Sequence, residues 1–443
     1  MQIEIKRFGP VSSFVCNLER DLTLIYGNNN IGKSYSMQII YLLLKTIIGK
    51  DGEYSGYIHV FLFENSKMLD TINKKLQNTT YDFAKNNIMD NDFLSLLEEI
   101  FYHILSKIIM PDFINSCNNT FGNLDKTLEK NPVISIDFNK YKFKINLKNK
   151  EINGIIKEKI YFEGIEIKSL EEFTSFIFKE MGKLISSFNS TIHSICDEIY
   201  FLPASRSGIY NGMNAFGAII AELSKNRLNI TRKIELPGIS EPIADYFISL
   251  SNIEPGTNKY LEKFYTEIED NILKGKVFFD TGKNALIYRP VNLDADFEMT
   301  EVSSMVSEIT PVVAFLKFII KKENREEDKR KPVLFIEEPE AHLHPQNQIA
   351  LMEIFAKLIQ NNVKLIMSSH SNYIFNKLNN LVLGKKLDYN VYQPVIMQEE
   401  QDGSISKLIE IDELGAEDQN FVDVSERLYY EREDIIQKLN MED

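Results

Sequence analysis

Cysteine is scarce in this chain. Cys16, Cys117 and Cys196 are its only thiols, they stand far apart, and none has C-x-x-C spacing. That excludes a zinc ribbon and a disulfide framework and leaves three buried or inert thiols as the expectation. Long apolar runs are also missing, since none reaches the roughly 20 residues needed to cross a bilayer. The N-terminal Met1–Lys6 alternates like a strand and does not read as a signal peptide. A cytoplasmic protein without membrane contact is expected. A basic surplus is lacking as well. The net charge of −14 argues against a generally basic nucleic-acid surface and leaves room only for a local patch. No heptad pattern is sustained, so long coiled-coil arms are not expected. What remains is 443 residues, 44% hydrophobic and 26% charged, ordinary for a globular protein of two or three domains.

The most informative feature present is Gly27-Asn28-Asn29-Asn30-Ile31-Gly32-Lys33-Ser34, which fits G-x-x-x-x-G-K-[ST]. It follows the β-rich run Leu22–Tyr26 and precedes the apolar segment Ser36–Leu44, so it has the strand–loop–helix context that a phosphate loop needs. A triphosphate requires closely spaced donors on a backbone that can curl around it, and the terminal glycines allow that. Lys33 is expected to reach the β- and γ-phosphates and Ser34 to place its hydroxyl on Mg²⁺. The helix beginning near Gly32 aims free N–H groups at the anion. ATP and Mg²⁺ are the expected ligands.

Far along the chain, Lys331–Glu340 reads as a short buried strand ending in carboxylates. It is expected to lie beside the phosphate-loop strand in a parallel sheet, with its carboxylates emerging at the phosphate edge. Glu337 is then the metal-side carboxylate, and Glu338 is the candidate for orienting or deprotonating the attacking water. A second buried strand, Val363–Met367, runs into Ser368-Ser369-His370-Ser371, where His370 can donate to the γ-phosphate.

These residues resemble the ABC-class ATPases of the RecF, structural-maintenance-of-chromosomes and overcoming-lysogenization-defect type. The resemblance rests on Gly27–Ser34, on FIEEPEAHLHPQNQ from Phe335 to Gln348, and on IMSSHS from Ile366 to Ser371. It covers roughly residues 1–50 and 195–400. It implies a homodimer closing on two nucleotides, with a signature motif of one subunit capping the γ-phosphate held by the other. The matching stretch, Glu301–Glu308, keeps serines and a glutamate but lacks paired glycines. Ser303 or Ser304 would be the hydroxyl donor, and N-capping the helix Pro311–Ile320 is a compatible role. Glutamate at Glu337 departs from the family's usual aspartate. His342 and His344 lack a third ligand nearby, so a loop at the dimer interface is the expected reading.

The segment Ile199–Gly208, ending in L-P-A-S-R, is similar to the ATPase subunits of bacterial anti-phage systems such as Septu, PARIS and some retrons. The resemblance puts Arg206 at the sheet edge near the nucleotide or the partner. It implies an α/β fold: an ABC-type ATPase head, a mixed sheet flanked by helices, with a mainly helical insertion carrying a β-hairpin. The expected divisions are 1–50 (head, phosphate loop), 51–198 (insertion), 199–400 (head, signature to His370) and 401–443 (acidic helical tail). Within the insertion, residues from about Asn65 to Ser116 read as helix, and Val133–Phe138 and Tyr141–Lys148 as strands. The lysines from Lys140 to Lys159, with Tyr141 and Phe143 interleaved, could contact a nucleic-acid backbone or could protect a solvated edge hairpin. The mixed-charge run Lys321–Lys331 reads as an exposed loop.

Only about 70 residues follow His370, too few for a fused TOPRIM nuclease, so a separately encoded nuclease or toxin effector is the expected partner. The leading expectation is therefore a slow, regulatory ATPase controlling that effector in anti-phage defence. A RecF-like DNA-binding repair ATPase and an ATP-binding scaffold with little hydrolysis are the alternatives.

Overall fold

The computed structural model describes residues 1–50, 91–157, 170–212, 238–321, 331–416 and 429–436. Its strands in chain order are β1 (Gln2–Phe8), β2 (Val11–Asn17), β3 (Leu22–Gly27), β4 (Val133–Phe138), β5 (Tyr141–Asn146), β6 (Glu151–Ile156), β7 (Ile199–Leu202), β8 (Gly275–Asp280), β9 (Ala285–Pro290), β10 (Phe297–Glu298), β11 (Val333–Glu337), β12 (Lys364–Ser369), β13 (Tyr392–Glu400), β14 (Gly403–Leu408), β15 (Ile411–Asp412) and β16 (Gly415–Ala416). The helices are α1 (Lys33–Gly49), α2 (Asn91–Phe121), α3 (Asp125–Glu129), α4 (Leu170–Ile195), α5 (Glu241–Ser251), α6 (Glu262–Ile268), α7 (Ser304–Ala314), α8 (Pro345–Gln360) and α9 (Asn372–Leu383). A further helical stretch covers 206–212.

Eleven strands form one mixed sheet in the order β6-β5-β4-β1-β2-β14-β13-β3-β12-β11-β7. From β13 to β7 all neighbours are parallel, whereas β6 to β2 form an antiparallel wing. Every residue of β11 and β12 is buried. Such strands must be apolar on both faces, which is why they read as continuous runs. Val333 and Phe335 pack toward the core shared with α1, α2 and α4; Leu334 and Ile336 pack toward the opposite core under α5 to α9. The expected mixed sheet flanked by helices is present.

Four details differ from expectation. The strand of Glu337 does not adjoin β3, because β12 lies between them. Two strands with similarly apolar interiors cannot be ordered by their apolarity, and all three are parallel, so the carboxylates still emerge at the phosphate-loop edge. The helix expected from Pro311 starts at Ser304, with Pro311 inside it and a π-turn, Phe315–Ile319, after it. The expected hairpin is a three-stranded meander, β4-β5-β6, which continues the main sheet through β4 and β1. The division at 400 falls inside the sheet, since β14 joins β13 to β2. The expected helix over 65–90, Lys159, loop residues 322–330 and tail residues 417–428 and 437–443 lie outside the described residues.

At the β6 end, α2 runs along the strand and bonds its backbone with a polar stripe. Glu98 accepts from Ile156 N–H (2.6 Å), Tyr102 donates to Ile155 C=O (2.8 Å), and Ser106 Oγ accepts from Ile152 N–H (2.7 Å). Spacing of four residues keeps these three side chains on one helix face. Ser106→Ala is expected to cost about 1–3 kcal/mol, because Ile152 N–H is left without its acceptor. Urea titration checks this, with the midpoint falling and the slope unchanged.

On β5, Tyr141, Phe143 and Ile145 point inward and Lys142 and Lys144 outward. Tyr141 and Phe143 pack against Phe138 and Phe188, so neither ring is offered to a nucleic-acid base. Lys142 and Lys157 both pair with Asp137, which neutralises part of the basic face. All three cysteines are buried, and burial pushes the Cys16 and Cys196 thiols up to about 12, the inert state expected of them.

Candidate functional site

The phosphate loop connects β3 to α1 as its sequence requires. Gly27 has φ 140°, and a Cβ there would stand 2.5 Å from Met397 O; Gly32 has φ 84°, where a Cβ would meet Val11 at 2.9 Å. Both positions exclude other residues by conformation and by space. Asn30, at φ 63°, uses the tolerance of asparagine for the left-handed region. With Asn29 to Tyr35, Glu338, Glu340 and His370 the loop lines a pocket of about 580 Å³.

Lys33 lies in the pocket wall with 5% of its surface exposed. Its ammonium donates to Gly27 O (3.0 Å), Asn28 O (2.7 Å) and His370 Nδ1 (3.2 Å). Burial lowers its pKa to about 8, opposed by the negative charges of Glu338 and Glu340. Because an ammonium only donates, Nδ1 of His370 must accept, which leaves the ring proton on Nε2. That nitrogen lies 3.3 Å from Glu338 Oε1. Lys33, His370 and Glu338 thus form one hydrogen-bonded chain across the ends of β3, β12 and β11. The bond from His370 is the main reason the Glu338 carboxyl is held below its ordinary pKa.

Glu337 is buried, and burial raises its pKa, countered by bonds from Ala204 N–H, Ser34 and Gln38. Ala204 N and Gln38 Nε2 each lie 3.2 Å from the carboxylate. A serine hydroxyl beside a buried carboxylate supplies the hard oxygen donors that Mg²⁺ takes. Ser34 and Glu337 therefore fit that ion, and the loop with Lys33 and the α1 N-terminus fits a triphosphate.

Glu338 carries a left-handed backbone at φ 44°. Its N–H donates to Ser368 O (2.9 Å), and its C=O accepts from Ala341 N–H (3.1 Å). Two further residues bear on the site without having been assigned a role from sequence. Gln38, four residues after Ser34, shares its helix face, and that spacing was the available signal. Glu340 Oε1 accepts from Ser369 Oγ (2.8 Å) and His370 N–H (2.7 Å), so it fixes the end of β12. Nothing in the spacing of the E-E-P-E run distinguishes this role.

Ser303, Ser304 and Arg206 do not join the pocket. Ser303 is exposed and N-caps α7, accepting from Val306 N–H, and Ser304 is exposed beside it. Arg206 is wholly buried behind β11, neither at the pocket nor on the surface. His342 and His344 are exposed, and His344 caps α8 through Nδ1. Among the described residues no group of three His, Cys, Asp or Glu side chains could hold a metal by itself, and no helix is long and apolar enough to cross a membrane.

A phosphate-binding loop facing two carboxylates and a histidine at the C-terminal ends of parallel strands defines a nucleoside-triphosphate site. The chain belongs to the AAA ATPase domain family, whose model matches residues 1–375. It is 28% identical over 134 residues to the Old nuclease of Escherichia phage P2, a match spanning 28% of this chain and 22% of that protein. Two solved structures align over most of both chains. One is an SmcHead bound to the C-winged helix domain of ScpA, at 11% identity and TM-score 0.38, covering 92% of this chain and 97% of the other. The second, an SMC head domain from Thermotoga maritima, aligns at 10% identity and TM-score 0.34 over 93% and 98%.

Proposed function

We propose that this chain hydrolyses Mg²⁺-bound ATP in a composite site completed by a second copy, and that the cycle switches a separately encoded nuclease or toxin in defence against phage. The observation that carries the ATPase reading is the convergence of Lys33, Ser34 and the Glu338–His370 pair on one pocket, with the buried carboxylate of Glu337 beside Ser34. Lys33 and the loop amides hold the phosphates. Ser34 and Glu337 would hold Mg²⁺, which would neutralise charge on the phosphates. Glu338, kept ionised by His370, orients the attacking water or takes its proton, and the single ring proton of His370 is committed to this carboxylate rather than to the γ-phosphate.

Ser303 and Ser304 stand exposed at the N-terminus of α7, where a free helix end favours an anion. They suit a phosphate held by a second copy. The exposed His342 and His344 belong to the surface that would meet it. The matched stretch of a phage nuclease supports the effector reading. The partial neutralisation of the meander's basic face and the burial of its aromatic rings weigh against direct DNA binding there.

Phosphate release from the purified protein, with and without DNA, tests the activity. Slow release that DNA leaves unchanged is expected, and no release leaves an ATP-binding scaffold. Assembly is tested by light scattering of the Glu338→Gln protein in ATP and in ADP. A dimer in ATP alone is expected, and Ser304→Arg in the same background should keep nucleotide affinity and lose the dimer. A Glu338→Gln protein that stays monomeric in saturating ATP contradicts the composite site.

A further inference from the structure

Among the described residues, Arg206 heads the large side chains that are fully buried. Its Nη1 donates to Glu337 O (2.7 Å) and Pro203 O (3.2 Å), Nη2 to Glu338 O (3.3 Å), and Nε to Glu308 O (3.1 Å). Glu308 is 1% exposed and grips the same segment in return. Its Oε2 accepts from Arg206 N–H (3.1 Å) and lies 3.4 Å from Nε, while Oε1 accepts from Ser207 N–H (3.2 Å) and Ser207 Oγ (2.7 Å).

A buried ion pair is a poor device for stability, since well-packed apolar residues commonly do as well or better. The targets of this guanidinium suggest another use. It holds the carbonyls of two consecutive residues, the metal-side carboxylate and the candidate base. The second of these carries the left-handed backbone that persists only when its surroundings over-determine it. Glu308 lies four residues after Ser304 on α7, one turn from the exposed serines. One guanidinium therefore joins the backbone of Glu338 to the helix that presents Ser303 and Ser304.

We propose that Arg206 and Glu308 are a positioning pair that fixes the Glu338 backbone and makes it move as one unit with the N-terminus of α7. Each subunit's base geometry is then coupled to the serines it offers to its partner. The inference deepens the reading of Glu338 as the residue that handles the attacking water, and rests on it.

Amide hydrogen exchange tests the coupling without any hydrolysis. In Arg206→Gln, amides in 337–343 and in 303–308 are both expected to exchange about tenfold faster or more, while those in 22–36 keep their rates. In the same variant kcat should fall by about tenfold or more, with KM and the affinity for a fluorescent ATP analogue within about twofold. Ser207→Ala, which removes one bond to Glu308 and leaves no charge unpaired, should give the same pattern more weakly and covers the case in which Arg206→Gln does not fold. Faster exchange in only one of the two segments, or uniformly along the chain, overturns the coupling. An unchanged kcat alongside faster exchange overturns the positioning role. If the wild-type protein releases no phosphate, the reading of Glu338 fails, and the exchange pattern still decides whether the two segments are joined.

Discussion

Replacing Glu338 with glutamine is expected to leave nucleotide binding intact while turnover falls by roughly 10²-fold or more. The exchange is isosteric, and the amide oxygen can still accept from His370 Nε2, which lies 3.3 Å away in the wild-type protein. Lys33 and the loop are untouched, so the contacts that hold phosphate persist. What disappears is the negative charge, the feature a water-orienting or proton-accepting group requires. The His370 bond keeps that carboxyl ionised across neutral pH, so the loss should be equally large at pH 7 and pH 8. Fluorescent-nucleotide binding beside phosphate release measures both quantities on one preparation. Wild-type turnover in Glu338→Gln would remove this residue from its role.

Lys33→Ala should abolish nucleotide binding outright. Each hydrogen bond to a charged group contributes about 1.5–3 kcal/mol, so losing two moves a micromolar affinity to roughly millimolar or beyond. The fold should survive, because the lysine's partners on the loop are carbonyls at the edge of an open pocket. The same residue gives a pH signature. Burial lowers its pKa to about 8, and the phosphate-binding form is the protonated one. Affinity should therefore be full below pH 8 and weaken as pH rises through it, with proton uptake on binding. Calorimetry at pH 7, 8 and 9 in buffers of different ionisation enthalpy measures both, and a flat profile would contradict a lysine titrating there.

The parts of this site that were legible in the sequence are those whose chemistry is local. Gly27 and Gly32 bracket a loop that only glycine can close, and the apolar runs before Glu337 and Ser368 have to end at the same sheet edge if both strands are parallel to β3. Lateral order was not legible, because β11 and β12 are equally apolar and either could have flanked the phosphate loop. Arg206 shows the limit from the other side. An arginine after a proline turn suggests exposure, and only the convergence of Glu308, Glu337 and Glu338 from distant segments, together with the local Pro203 carbonyl, makes burial affordable. The meander was half legible: the alternation of Tyr141 to Ile145 identified a strand with one polar face, but nothing local indicates that β4 would pair with β1.

The polar stripe Glu98, Tyr102 and Ser106 carries a consequence for how copies of this chain can gather. An open sheet rim invites the strand of a neighbouring molecule, and repeated at both ends that invitation produces filaments. Here one rim is occupied by the chain's own helix, and the opposite one ends in β7, a strand of only four residues. Growth by strand addition is closed off at the first and has little to hold at the second. For this sheet, contacts through faces that can saturate are thereby favoured over strand addition.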